Sequence, residues 1–200
     1  MATHAETLVG RPEEGLIERL NGRWHRPALA AFALVVIAHW VEHLVQVVQI
    51  YVLGWAVPEA KGALGLVFPH LVTEEWLHYG YALVMLAGIV ILMPGFAGRA
   101  RWWWGLSLGI QVWHHFEHLF LFLQAQTGIH FLGRAVPTSF AQLVVPRVEL
   151  HLFYNVAVFL PMLVALFHHL YPTGADRDLP ACACSRLRPA TATATATAAD

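Results

Sequence analysis

The pattern H-x-x-E-H occurs twice in this chain, as His39-Glu42-His43 and as His114-Glu117-His118. Each copy lies inside a hydrophobic run long enough to cross a membrane, and no other feature restricts the fold as much. A charged side chain in hydrocarbon costs roughly 2.5–3.5 kcal/mol on insertion scales. Two such clusters therefore require a compensating partner, and a bound metal is the obvious one. The copies align residue for residue at an offset of about 75, down to Gln49 and Gln124 a little further on.

Composition supports a bilayer setting. Of 200 residues, 58% are hydrophobic and 12% charged, against about 25% charged in an ordinary soluble domain. A net charge of −1 and the lack of a basic stripe speak against nucleic acid. Two cysteines, Cys182 and Cys184, exclude a disulfide framework. The 13 histidines outnumber the 12 lysines and arginines, and most lie in or beside the apolar runs.

Four spans can be read, at about 28–53, 75–93, 102–123 and 148–170. Each is near the ~20 residues a helix needs to cross ~30 Å of hydrocarbon, and backbone groups in lipid must bond within their own segment. The expected fold is all-α: a polytopic membrane protein with a four-helix antiparallel transmembrane bundle. Residues 1–27 form a cytoplasmic segment and residues 172–200 a disordered tail ending in a Thr-Ala repeat. The first segment lacks the apolar core of a signal peptide. It holds a short amphipathic helix with Leu16, Ile17, Leu20 and Trp24 near one spacing, from Pro12 to Gly22. With both termini inside, nine basic residues fall on the inner side and only Lys61, Arg134 and Arg147 outside, as the positive-inside tendency requires. The run Trp102-Trp103-Trp104 beside Arg101 reads as an interfacial anchor. The expected location is the plasma membrane of a bacterium.

The repeat reaches the other two spans, since His78 with Tyr81 matches His151 with Tyr154 at an offset of about 73. The chain thus reads as two repeated helical hairpins. Residues at i, i+3 and i+4 share a helix face. His39, Glu42 and His43 therefore form one patch, and Gln111, His114, Glu117 and His118 another. Glu74, His78 and Tyr81 share a third face, and His151, Tyr154 and Asn155 a fourth. At ~1.5 Å per residue, His43, His78, His118 and His151 all fall at one depth, in the outer half of the bilayer. Independent structural histidines have no reason to agree in this way.

Imidazole and carboxylate suit iron, copper or zinc. The expected centre holds a transition metal, as two ions, on His39, His43, His78, His114, His118 and His151. Glu42 and Glu117 bridge the ions or orient the imidazoles. Tyr81, Tyr154, Asn155 and Glu74 support the site from behind, and Gln49 and Gln124 line an approach. An open coordination position would allow chemistry on quinol, dioxygen or another small molecule, giving an oxidoreductase. The alternative is a non-catalytic metal-handling protein: permease, sensor or accessory subunit. A single-haem cytochrome is less favoured, because His39 and His43 are one turn apart. Zinc peptidases carry H-x-x-E-H once, with the glutamate as base, whereas a doubled motif suits a symmetric centre. His168 and His169 fall at the inner interface, and the cytoplasmic Cys182-x-Cys184 pair reads as inert, with Cu(I) binding or a lipid as the alternatives.

Overall fold

A computed structural model describes residues 14–73 and 75–179, together with Cys182 and Cys184. Among these residues the chain is all-helical. The elements are α1 (Leu16–Asn21), α2 (His25–Val47), α3 (Gly62–Val67), α4 (Pro69–Thr73), α5 (Glu75–Leu92), α6 (Gly98–Thr127) and α7 (Arg147–Leu170). A π-helical turn, Val48–Val52, extends α2. Pro12, Glu74, the sequence from 185 onward and its Thr-Ala repeat lie outside the described residues.

Local chemistry explains where the long helices stop. Pro94 and Gly95 close α5 with a 3-10 turn at Met93–Gly95, since proline cannot continue the ladder. Gly128 ends α6 in the left-handed region (φ 68°), where its N–H bonds the Gln124 carbonyl at 2.9 Å. Pro161 sits inside α7 and removes one ladder donor. In the same stretch, Ser107 of α6 donates to the Val158 carbonyl at 2.9 Å, tying α6 to α7 beside the proline.

Among the described residues, three helices are long and apolar enough to cross a membrane: His25–Val52, Glu75–Gly95 and Arg147–Leu170. The expectation of four apolar spans is thereby amended. Helix α6 is the longest element but is not among the three, because it carries Ser107, Gln111, His114, Glu117, His118 and Gln124. All of these are buried against its neighbours. The outward surface is inverted relative to a soluble protein. Leu34, Ile37, Leu83, Val90, Phe153 and Leu160 all project outward.

The long helices pack in sequence, with opposite direction in each consecutive pair. On α6, Trp104 donates to the Ile89 carbonyl of α5 at 2.8 Å, and Gln111 to the Ala82 carbonyl at 3.1 Å. As the α6 position rises, the α5 position falls by the same amount. Helix α7 lies along α6, through Ser107 with Val158 and Trp113 with Tyr154. Helix α2 joins α5 through Tyr81, whose hydroxyl donates to the Val35 carbonyl, and through Phe32, which lies directly over Gly88.

The apolar core occupies the end of the bundle away from α3 and α4: Leu29, Phe32, Met85, Ile89, Phe96, Trp104, Val158 and Met162 pack there. Trp104 is completely buried while Trp102 is exposed. The tryptophan run is therefore split by helical rotation between core and surface. Helix α1 is tied to the end of α5 through Asn21, which bonds the Ile91 carbonyl (2.8 Å) and the Gly95 N–H (2.9 Å). Its Leu16 and Ile17 remain exposed.

Candidate metal centre

Helical periodicity places two histidines one turn apart on α2 and two on α6. The His39 and His43 rings are 4.4 Å apart, and those of His114 and His118 4.6 Å. Helix α5 contributes His78 and α7 contributes His151. The His151 ring lies 4.9 Å from His118, 5.3 Å from His43, 5.6 Å from His114 and 5.9 Å from His78. His78 is 6.2 Å from His118, with the rings parallel. All six expected imidazoles thus gather in one layer, with His151 at its middle. The tightest subset is His114, His118 and His151, all buried, with one nitrogen from each within 4.8 Å of the others.

Hydrogen bonding leaves ligand positions open. His151 Nδ1 faces the Arg147 carbonyl at 3.3 Å, so the proton belongs on Nδ1 and the lone pair on Nε2. That Nε2 is buried without a hydrogen-bond partner, as are Nδ1 of His114 and Nδ1 of His118. An unsatisfied buried polar atom costs about 1–3 kcal/mol. Three on three adjacent imidazoles fit a cation that would use the lone pairs. On α2, His43 Nδ1 faces Gln46 Oε1 at 3.4 Å, and its Nε2 lies 3.2 Å from His39 Nε2. The amide oxygen takes the His43 proton, and His39 then donates to His43.

A void of about 30 Å³ lies among His39, His78, His114, His118 and His151, with Tyr81, Gln111 and Asn155 also on its wall. That is room for one water-sized occupant. A cavity of about 230 Å³ continues from His43, His78 and His151 to Val57, Pro58, Lys61 and Arg147. Another, of about 280 Å³, lies between α2, α3 and α5 against His39, His43 and Tyr81. On the other side of the layer the apolar core closes the bundle. Ser107 and Gln111, on that side, are engaged with backbone carbonyls.

The two carboxylates lie beside the histidines, Glu117 against His114, His118 and His151 and Glu42 against His39, His43 and His78, and each uses one oxygen on a loop. Glu42 Oε1 accepts the Leu64 N–H at 2.7 Å, in the first turn of α3. A Cβ at Gly62 (φ 72°) would fall on the Glu42 carboxylate, so this approach requires glycine. Glu117 Oε1 accepts the Ala141 N–H at 2.9 Å, at the start of the 3-10 turn Ala141–Leu143. Each glutamate fastens a loop to the helix that carries two of the histidines.

The glutamines do the same. Gln49 exchanges two hydrogen bonds with the Gly62 backbone (2.9 and 3.2 Å). Gln124 bonds both backbone groups of Thr138 (3.0 and 3.2 Å) and the Phe131 N–H (2.8 Å). They anchor loops; they do not line the approach. Lys61 and Arg147 stand on that approach instead, and Arg147 is paired with Glu75 at 2.7 Å.

Tyr81 stacks on His39 with ring centroids 4.1 Å apart. Tyr154 lies 4.4 Å from the His114 ring, and its oxygen accepts the Trp113 indole N–H at 2.7 Å. Asn155 faces the inner void with its amide nitrogen buried and unpartnered. Glu74 lies outside the described residues. Gln46 continues the His39–His43 face by one turn, as helical spacing requires, and there it meets His43. No family model, curated protein or solved structure matches this chain.

Proposed function

We propose that the chain is an integral membrane metalloprotein of oxidoreductase type, with its four long helices crossing the bilayer. A first ion sits on His114, His118 and His151, and His39, His43 and His78 offer a second position beside it. The observation that carries this reading is the burial of three unpartnered imidazole nitrogens on three neighbouring side chains. Iron or copper on such ligands would supply one-electron redox chemistry to a small molecule such as quinol or dioxygen. The protein's own contribution is a fixed tautomer at His151, phenols against His39 and His114, and a pocket walled by apolar helices. The spacing of His39 and His43, one turn apart on α2, favours ions over haem.

Catalysis is preferred to permeation because, among the described residues, the side of the layer toward Met85, Trp104, Val158 and Met162 is packed with apolar side chains. Both termini are assigned to the cytoplasm of a bacterium, with the loops bearing Lys61 and Arg147 outside. The matching roles of Glu42 with Glu117, and of Gln49 with Gln124, support descent from a duplicated hairpin. The test is elemental analysis with optical and EPR spectra on the protein in detergent or nanodiscs. Stoichiometric iron or copper in the wild type, lost in the double variant His118→Ala/His151→Ala, is the expected result. A wild-type protein that takes up neither iron nor copper would overturn the reading.

A further inference from the structure

From the sequence His169 reads as an interfacial histidine and Cys182 with Cys184 as an inert pair, with Cu(I) binding or a lipid as alternatives, and His25 carries no expected role. The structure brings the four together. His25 opens α2, His169 lies in the last turn of α7, and the two cysteines follow in the tail. One ligand atom from each lies within 4.8 Å of all the others. Cys182 Sγ is 3.0 Å from His169 Nε2, and the Cys184 N–H bonds the Cys182 sulfur at 3.2 Å. The His25 and His169 rings are 5.1 Å apart. His25 is completely buried, its ring enclosed near the Leu20 backbone and the His169 ring. Its ring packs where a Cβ at Gly95 would collide with it, edge-on to Phe96 at 5.4 Å.

We infer that His25, His169, Cys182 and Cys184 bind one zinc ion, which fastens the segment after α7 to the start of α2. Two imidazoles and two thiolates are a closed tetrahedral zinc set, with bonds of about 2.0–2.1 Å to nitrogen and 2.3 Å to sulfur. Such bonds put ligand atoms about 3.3–3.8 Å apart, so four atoms already within 4.8 Å need to move little. Mixed N₂S₂ ligation suits zinc over calcium or magnesium, and four protein ligands leave no position for substrate. The site is structural. It shares no residue with the histidine layer, from which His25 is separated by about 20 Å or more along α2, and it stands whether or not that layer binds metal.

The experiment uses the full chain, purified in detergent with reductant and no chelator. One zinc per chain should be found at this site. Cobalt replacing it should give a thiolate-to-metal charge-transfer band and intense tetrahedral ligand-field bands. The double variant Cys182→Ser/Cys184→Ser should lose one equivalent of metal and these bands, while His118→Ala/His151→Ala should keep the bands. In the wild type, both thiols should react with an alkylating reagent at least ~10-fold faster after chelation, a readout that needs no variant to fold. Absence of the charge-transfer band, equal thiol reactivity with and without chelator, a Cys182–Cys184 disulfide in the purified protein, or copper in place of zinc would each overturn the inference.

Discussion

Replacing His151 with leucine separates a metal centre from a hydrogen-bonded histidine cluster. In the metal-free protein His151 makes one long bond to the Arg147 carbonyl, 3.3 Å, and leaves Nε2 buried without a partner. That carbonyl is also the acceptor of the ordinary helical bond, so removing the imidazole orphans nothing. Interhelical polar contacts in membranes average ~0.6 kcal/mol, and a lone helical contact of this length is worth no more. Relief of an unsatisfied buried nitrogen is worth about 1–3 kcal/mol. The metal-free His151→Leu protein should therefore be more stable than wild type by about 0.5–2 kcal/mol. At about 2–4 °C per kcal/mol for a chain this long, that is a rise of roughly 1–8 °C in Tm. Metal reverses the order. At a free ion concentration of 100 Kd the wild type gains about 2.7 kcal/mol, or roughly 5–11 °C, and the variant gains nothing from this site. Thermal unfolding in detergent should be followed with and without iron, copper and zinc, in the Cys182→Ser/Cys184→Ser background to remove the other zinc site. A metal-free variant destabilised by more than about 2 kcal/mol would show that the imidazole is structural, and the assignment would fail.

Three further outcomes are expected. Gln124→Leu strips the backbone of Thr138 and Phe131 of its partners. At about 1–3 kcal/mol for each group left buried and unpaired, the loop at 129–144 should open, seen as faster amide exchange there with α5 unchanged. Gly88→Ala drives a methyl group into the Phe32 ring and should cost about 1–3 kcal/mol by overpacking, with recovery in Gly88→Ala/Phe32→Leu. The Arg99 guanidinium, bonded to Asp176 at 2.7 Å, holds that carboxyl below its ordinary value, with His168 adding to the effect. Because the folded-state value is depressed, this contact's contribution is fully present above about pH 4 and is lost as the pH falls through the folded value. Proteolysis of the 173–179 segment should be faster at pH 3 than at pH 6, and Asp176→Asn should show the faster rate at both.

Much of the site was legible because helices are periodic. His39 with His43, and His114 with His118, share a face in any α-helix, and a rise of 1.5 Å per residue sets their depth. Once α5 and α7 were read as helices running the other way, His78 and His151 had to arrive at that level. The carboxylates were not legible in this way. Glu42 and Glu117 face the same side as the histidines, but whether they reach an ion or a loop depends on chain that folds back from 62–64 and 141. Nothing in a helical wheel places that chain.

Hydropathy and the 3.6-residue period are local properties, and they determined the helices, their apolar faces and the histidine layer before any contact was known. The burial of α6's polar face, the split of Trp102 from Trp104, and the capping glutamates and glutamines depended on which surfaces met. The meeting of His25 with His169, Cys182 and Cys184 depended on tertiary structure alone. Residues so far apart along a chain come within bonding distance only when intervening helices are packed at fixed lengths and angles, and no local pattern encodes that closure.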